Sequence, residues 1–122
     1  MKVLLDTNFL LVPVQFKVNI YDELGDHELI TLESCINELE KIAEGKGRYA
    51  PVAKIALDLI MDKGIKIVAT DDKRADSAII SYAKKHNCMV ATNDRKLIKT
   101  LKSNKIKIIR LRQRKFLTGA NQ

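Results

Sequence analysis

Short apolar runs alternate along this chain with longer stretches in which apolar residues recur every three or four positions. This alternation limits the fold more than any other feature of the sequence. The runs that predict strands are 3–5, 28–31, 65–69, 88–92 and 106–111, and the stretches that predict helices are 8–24, 35–43, 50–62, 75–83 and 95–101. Strands that alternate with helices in this way predict right-handed βαβ units. The sequence therefore predicts an α/β fold, in which a mostly parallel sheet has helices on both faces.

The length and composition are typical of one compact domain. We assign residues 1–111 of the 122 to the domain and residues 112–122 to a basic C-terminal tail. Cys35 and Cys88 lie in apolar stretches without a CxxC or Cys/His pattern, so neither a zinc site nor a disulfide framework is expected. No apolar stretch approaches the roughly 20 residues that span a bilayer, and there is no signal-peptide pattern. We therefore expect a cytoplasmic protein with no membrane partner.

The charge is divided unequally between the two halves of the chain. Residues 1–62 contain 6 Lys and Arg against 11 Asp and Glu, a balance of −5. Residues 63–122 contain 16 against 4, a balance of +12. A basic half on a small domain is typical of a protein that binds a polyanion such as RNA. A basic protein without any such partner can have the same composition, so charge alone gives nucleic acid only a modest preference.

Two acidic residues follow predicted strands at the edge where open α/β sheets bind their ligands. Asp6 directly follows the first strand, and Asp94 follows the fourth with one residue between. If those strands are neighbours, their ends lie about 4.8 Å apart, and both carboxylates can reach one ion. The positions at the strand ends therefore predict Asp6 and Asp94 as a functional pair.

Two further acids are compatible with either a functional or a structural role. Glu38 lies at one border of the apolar face of its predicted helix and Glu40 lies at the other, so helical periodicity does not choose between them. Asp76 lies in the first turns of its helix, beside apolar residues. An acid near a helix N-terminus is favourable without any further function. Glu38 and Asp76 are therefore weaker candidates than the pair at the strand ends.

A cluster of these carboxylates predicts a metal site. Carboxylates held together repel one another, so a cluster implies protonation or a bound cation. Oxygen ligands with no His or Cys nearby suit one or two Mg²⁺ or Mn²⁺ ions. The polar residues placed to fix the carboxylate side chains are Thr7, Asn8, Thr92 and Asn93. Each of these four, taken singly, is equally well explained as a turn or cap residue.

Four segments of the sequence resemble, in order, the motifs of the PIN-domain ribonuclease superfamily. They are residues 4–11 (LLDTNFLL), 37–40 (NELE), 74–79 (RADSAI) and 90–95 (VATNDR). Each segment alone is a weak signal, whereas four in family order across the chain are specific. The resemblance implies a PIN-like domain whose five-stranded sheet has the order 3-2-1-4-5. It also implies an acidic site made by Asp6, Glu38, Asp76 and Asp94, which favours Glu38 over Glu40.

The resemblance further implies an endoribonuclease that depends on Mg²⁺ or Mn²⁺ and hydrolyses RNA phosphodiester bonds. With water as the nucleophile, the products would carry 5′-phosphate and 3′-hydroxyl ends. The basic half would bind backbone phosphates without reading the base sequence. Its residues that we expect to contact RNA are Arg95, Lys96, Lys99, Arg110, Arg112, Arg114 and Lys115.

Two groups within the superfamily are candidates for the biological role. Residues 12–17 and 111–117 resemble the archaeal relatives of small-subunit rRNA-processing nucleases more than VapC-type toxins, which cleave tRNA or rRNA and are restrained by an antitoxin. The expected partners are therefore RNA and pre-ribosomal particles, and the toxin reading would add an antitoxin-like protein. Homodimers are common among similar domains. A third reading is an RNA-binding PIN module that does not cut.

Overall fold

A computed structural model describes residues 1–72, 74–113 and 115–119 of the chain. The strands are β1 (Lys2–Leu5), β2 (Glu28–Leu32), β3 (Lys66–Val68), β4 (Met89–Ala91), β5 (Ile108–Arg112) and β6 (Phe116–Thr118). The helices are α1 (Thr7–Leu10), α2 (Val12–Gln15), α3 (Ile20–Glu23), α4 (Glu33–Glu44), α5 (Ala50–Asp62), α6 (Ala75–His86) and α7 (Arg95–Ser103). The predicted α/β alternation is confirmed.

The strands form one sheet in the order β3-β2-β1-β4-β5-β6. The first five strands pair in parallel, which confirms the order 3-2-1-4-5. The prediction of five strands is wrong, because β6 pairs with β5 in the antiparallel direction and extends the sheet. This sixth strand lies in the segment that we assigned to a basic tail. It escaped the sequence pattern because it is only three residues long and follows a turn rich in charged residues.

The stretch 8–24, which was predicted to be helical, is divided into three short helices. Pro13 lies in the first turn of α2, where its missing N–H does no harm. Lys17 has a φ of 55°, which a helix cannot contain. Asn19 then begins α3 by accepting a hydrogen bond from the Asp22 N–H through its side chain at 3.2 Å.

The two central strands are buried and lie where the direction of the sheet connections reverses. Every residue of β4 and the last three residues of β1 are buried, as expected of parallel strands covered on both faces. From β1 the chain continues to β2 and β3 on one side, whereas from β4 it continues to β5 on the other. Such a reversal leaves a crevice at the carboxyl ends of the two strands. The described part of the chain contains no helix that is long and apolar enough to cross a membrane.

Candidate active site at the carboxyl ends of β1 and β4

Asp6 is a buried carboxylate at the point where β1 ends. Its backbone N–H donates to the Ala91 carbonyl at 3.3 Å, which ties the end of β1 to the end of β4. Its Oδ1 accepts from the Phe9 N–H at 2.8 Å, so that Asp6 also caps α1. Its Oδ2 accepts from the hydroxyl of Thr92. Only 5% of Asp6 is exposed, so its negative charge is held mainly by these two donors.

The burial of Asp6 changes its acidity. Desolvation raises the pKa of the Asp6 carboxyl from 3.8 to about 6, although the hydrogen bonds from Thr92 and Phe9 act in the opposite direction. The negative charges of Asp94 and then of Asp76 raise this pKa further. Asp94 and Asp76 are therefore close enough to act electrostatically on Asp6.

Thr92 connects the two acids at the strand ends. It is fully buried directly after β4, and its hydroxyl donates to Asp6 while accepting from the Asp94 N–H at 3.1 Å. The Oδ1 of Asp94 accepts from the N–H groups of Lys96 at 2.9 Å and Leu97 at 3.3 Å, which caps α7. Asp94 itself is half-buried. A chain of hydrogen bonds thus runs from the N-terminus of α7 through Thr92 to the buried Asp6.

Asp76 and Glu38 are exposed, on the two helices that approach this crevice. Asp76 lies in the first turn of α6. Glu38 lies on α4, one turn after Cys35, whose buried thiol has a pKa raised by desolvation and also by the Asp6 charge. The first turns of α4 therefore lie beside Asp6.

A groove of about 550 Å³ runs past Glu38, and Glu40 also lines it. Both side chains are exposed, in contrast to the buried Asp6. Thr70 and Asp72 line the same groove, and the sequence did not predict them as site residues. Their position just after β3 is the strand-end signal that identified Asp6 and Asp94.

The donor set suits a hard divalent cation in kind. The charged groups that act on Asp6 are carboxylates, whose oxygen atoms are the ligands that such a cation prefers, and burial raises the pKa of Asp6. Within the described residues, however, no three His, Cys, Asp or Glu side chains are close enough together to hold a metal ion. The carboxylates therefore do not form a closed cage.

The remaining polar residues near the strand ends have different surroundings. Thr7 is buried in the first turn of α1 against Cys35, whereas Asn8 is exposed. Asn93 contacts β5: its Nδ2 donates to the Leu111 carbonyl at 2.9 Å, and its Oδ1 accepts from the Leu111 N–H at 2.8 Å. Asn93 thereby extends the pairing of β4 with β5 by one step and does not bind a carboxylate.

The basic residues predicted to contact RNA lie on two neighbouring elements and beyond. Arg95, Lys96 and Lys99 are exposed on α7. Arg110 and Arg112 lie on β5, with Arg112 exposed. Lys115 is exposed in the turn before β6, and Arg114 lies outside the described residues.

Comparisons with known proteins agree on the fold. A family model described as a PIN-like domain matches residues 3–114. Ribonuclease VapC4 of Methanocaldococcus jannaschii is 34% identical over an alignment of 124 positions, gaps included, that covers 94% of this chain and 93% of that protein. The solved structure of the PIN domain endonuclease Utp24 has a TM-score of 0.81 at 24% identity and covers 99% of this chain and 92% of that one. A domain of a functionally unknown protein from Methanocaldococcus jannaschii has a TM-score of 0.65 at 20% identity, with 88% of each chain covered.

Proposed function

This chain belongs to the family of PIN-like domains, and on that premise we propose that it is a metal-dependent endoribonuclease that hydrolyses RNA phosphodiester bonds. The observation that carries the proposal is the buried Asp6 carboxylate at the crevice between β1 and β4. It is held by two hydrogen bonds and acted on by the charges of Asp94 and Asp76. A buried acid in this setting is typical of a functional site.

We propose Asp6, Asp94, Asp76 and Glu38 as the residues that hold Mg²⁺ or Mn²⁺. The absence of a closed cage among the described residues is compatible with this assignment, because Mg²⁺ commonly binds through one or two carboxylates and completes its coordination with waters and substrate phosphates. The cation would supply Lewis-acid chemistry: it favours deprotonation of the attacking water and neutralises charge on the scissile phosphate.

Side chains of this protein would position the acids and hold the RNA. Thr92 orients Asp6 through its hydroxyl, and Asp94 is fixed by its bonds to the first turn of α7. Arg95, Lys96 and Lys99 lie on that same helix beside Asp94. They would hold the RNA backbone over the acids, where an acidic pocket alone would repel it.

A cutting assay tests the proposal. The purified protein should cleave a labelled RNA in the presence of Mn²⁺, stop when chelator is added, and leave 5′-phosphate and 3′-hydroxyl ends. Asp6→Asn and Asp94→Asn should each abolish cutting, and both keep the caps of α1 and α7 because Asn caps a helix as well as Asp does. The matched control is Asp58→Asn, an exposed position on α5. If the wild-type protein binds RNA but does not cut it in the presence of any divalent metal, the hypothesis of an RNA-binding module without nuclease activity replaces this one.

A matched pair of variants separates Glu38 from Glu40. Both are exposed on α4 and line the same groove, so removing either charge changes the net charge of the groove equally. Glu38→Gln should reduce cutting at a fixed Mn²⁺ concentration and raise the concentration of Mn²⁺ needed for half-maximal rate. Glu40→Gln should leave both unchanged. Equal effects of the two substitutions would show that the groove acts only through its total charge.

Two biological roles remain candidates, each with its own support. The relative VapC4, at 34% identity over nearly the whole chain, favours a toxin-like ribonuclease with an antitoxin-like partner. Residues 12–17 and 111–117 favour the ribosome-processing group. Induced expression in a bacterial host distinguishes them: a toxin-like enzyme should arrest growth unless Asp6 is replaced by Asn. A processing enzyme should leave growth unchanged and cut only precursor rRNA.

A further inference from the structure

A cationic groove of about 350 Å³ lies along β5, between the end of α7 and the end of β6. Among the described residues that line it none is acidic, and five are basic, namely Lys102, Lys105, Lys107, Arg110 and Arg112. Within the described residues, none of the five is ion-paired with a carboxylate. So many uncompensated charges in one concavity repel one another and attract an anion.

Arg110 lines the groove and has a buried hydrogen-bond donor without an acceptor in the described part of the chain. Its Nε is buried and has no hydrogen-bond partner among the described residues. A buried N–H without a partner is destabilising, and more so when it belongs to a charged group. Arg110 and Arg112 lie two positions apart on β5 and so face the same side of the sheet. A guanidinium group matches the oxygen atoms of a phosphate in geometry as well as in charge, and here two of them lie on the same face of β5.

The groove is built into the fold at two places along β5. At one end, Gly119 has a φ of 103°, and a Cβ on it would lie 2.3 Å from the Ile108 carbonyl oxygen. Glycine therefore lets the chain close against β5. Near the carboxyl end of β5, Asn93 binds both backbone groups of Leu111, which lies between the two arginines in the sequence. Asn93 directly precedes Asp94 in the sequence, so the end of β5 that carries Arg112 lies next to the segment that carries Asp94.

We propose that this groove binds the phosphate backbone of RNA and guides the substrate away from the acidic crevice along β5, an inference that rests on the proposed function. The five residues of β5 span about 16 Å. The proposal adds three residues to Arg110 and Arg112 as contacts to the RNA backbone, namely Lys102, Lys105 and Lys107. An acidic protein partner fits less well, because protein interfaces depend on exposed aromatic or large apolar anchors. Among the described residues, the exposed large apolar side chains all lie elsewhere, at Met1, Tyr49, Ile55, Met61 and Ile67.

The test compares two triple variants with the same loss of charge. The groove variant replaces Lys102, Lys105 and Lys107 with Gln. The control variant replaces Lys46, Lys54 and Lys84 with Gln, three exposed positions on other parts of the chain. Binding to a fluorescent single-stranded RNA of about 20 nucleotides is measured by anisotropy at several salt concentrations, with chelator present so that cutting does not interfere.

The groove variant should bind at least about tenfold more weakly at about 0.1 M salt, and its slope of log affinity against log salt should fall by about 2, since each lost contact to a single strand removes about 0.7. The control should keep the wild-type slope. Equal losses in both variants, or no loss in the groove variant, would overturn the proposal. So would an oligoglutamate peptide that binds the groove as tightly as the RNA, because the occupant would then be a protein.

Cutting by the same variants separates this inference from the proposed function. If the groove variant loses RNA affinity while the wild-type protein never cuts, the groove stands and the nuclease assignment falls. If the wild-type protein cuts and the groove variant binds and cuts equally well, the groove proposal falls and the nuclease assignment stands.

Discussion

Replacing Asp6 with Asn should make the metal-free protein more stable at neutral and higher pH. In an unfolded chain this carboxyl has a pKa near 3.8, and in the folded protein its pKa is about 6. The folded state therefore binds the proton more tightly than the unfolded state does, and stability falls as pH rises from 3.8 through 6. The difference between the two pKa values corresponds to a penalty of about 3 kcal/mol in the free energy of unfolding. The folded state carries this whole penalty above pH 6, where Asp6 is ionised.

The Asp6→Asn substitution removes this penalty but loses part of the hydrogen bonding. The amide oxygen of the variant side chain can still accept from the Phe9 N–H, whereas its N–H₂ group cannot accept from the Thr92 hydroxyl as the Oδ2 of Asp6 does. The lost bond should lower stability by about 1 kcal/mol. The net expectation is a gain of about 2 kcal/mol near pH 8 and a loss of about 1 kcal/mol below pH 3.8, where both side chains are neutral.

Urea unfolding followed by far-UV circular dichroism, with chelator present, measures both ends of this range. Asp58→Asn serves as the control, because it removes the same charge from an exposed site. Adding Mn²⁺ at high pH should then stabilise the wild-type protein and leave the Asp6→Asn variant unchanged, since a ligand that binds only the folded state stabilises it. A variant that is less stable than wild type at every pH would refute this account of the burial of Asp6.

Two further predictions concern residues around the site and the sheet edge. Thr92→Val should lower the free energy of unfolding by about 1.5–3 kcal/mol and also weaken cutting, because it removes the hydroxyl between Asp6 and the Asp94 N–H. Thr31→Val removes an equally buried hydroxyl that donates to a backbone carbonyl, and it should lower stability alone; equal losses of activity would contradict the prediction. Gly119→Ala should weaken RNA binding and lower the melting temperature, because its Cβ would lie 2.3 Å from a carbonyl oxygen of β5. Gly47→Ala, where a Cβ meets nothing within 4 Å, should change neither.

The sequence pattern was sufficient for the parts of the fold that depend on local periodicity. Strand and helix periods differ, so the first five strands and the long helices were predicted, with boundaries shifted by a few residues. The stretch 8–24 was predicted to be helical but is divided into three short helices, because the positive φ of Lys17 is a backbone conformation that apolar spacing does not reveal. The sequence pattern missed the sixth strand for a related reason. This strand depends on its pairing with β5 and on the close approach of Gly119 to β5, and local spacing shows neither.

The sequence also predicted only part of the candidate site. Strand-end positions predicted Asp6 and Asp94 as a pair from the sequence, since parallel strands place their carboxyl ends at one edge. Only the tertiary structure showed that Thr92 joins them by hydrogen bonds and that Asn93 binds β5 instead. Side-chain partners of this kind depend on which strands are neighbours, and strand order is not encoded in local spacing.

The sequence by itself determined the α/β class, the two acids at the strand ends and the basic character of the second half of the chain. These features follow from residue types and their spacing along one dimension. The tertiary structure alone decided how deeply Asp6 is buried, which charges act on it, and that five basic residues share one groove along β5. Burial and electrostatic coupling depend on distances through space, which chain folding sets and sequence separation does not.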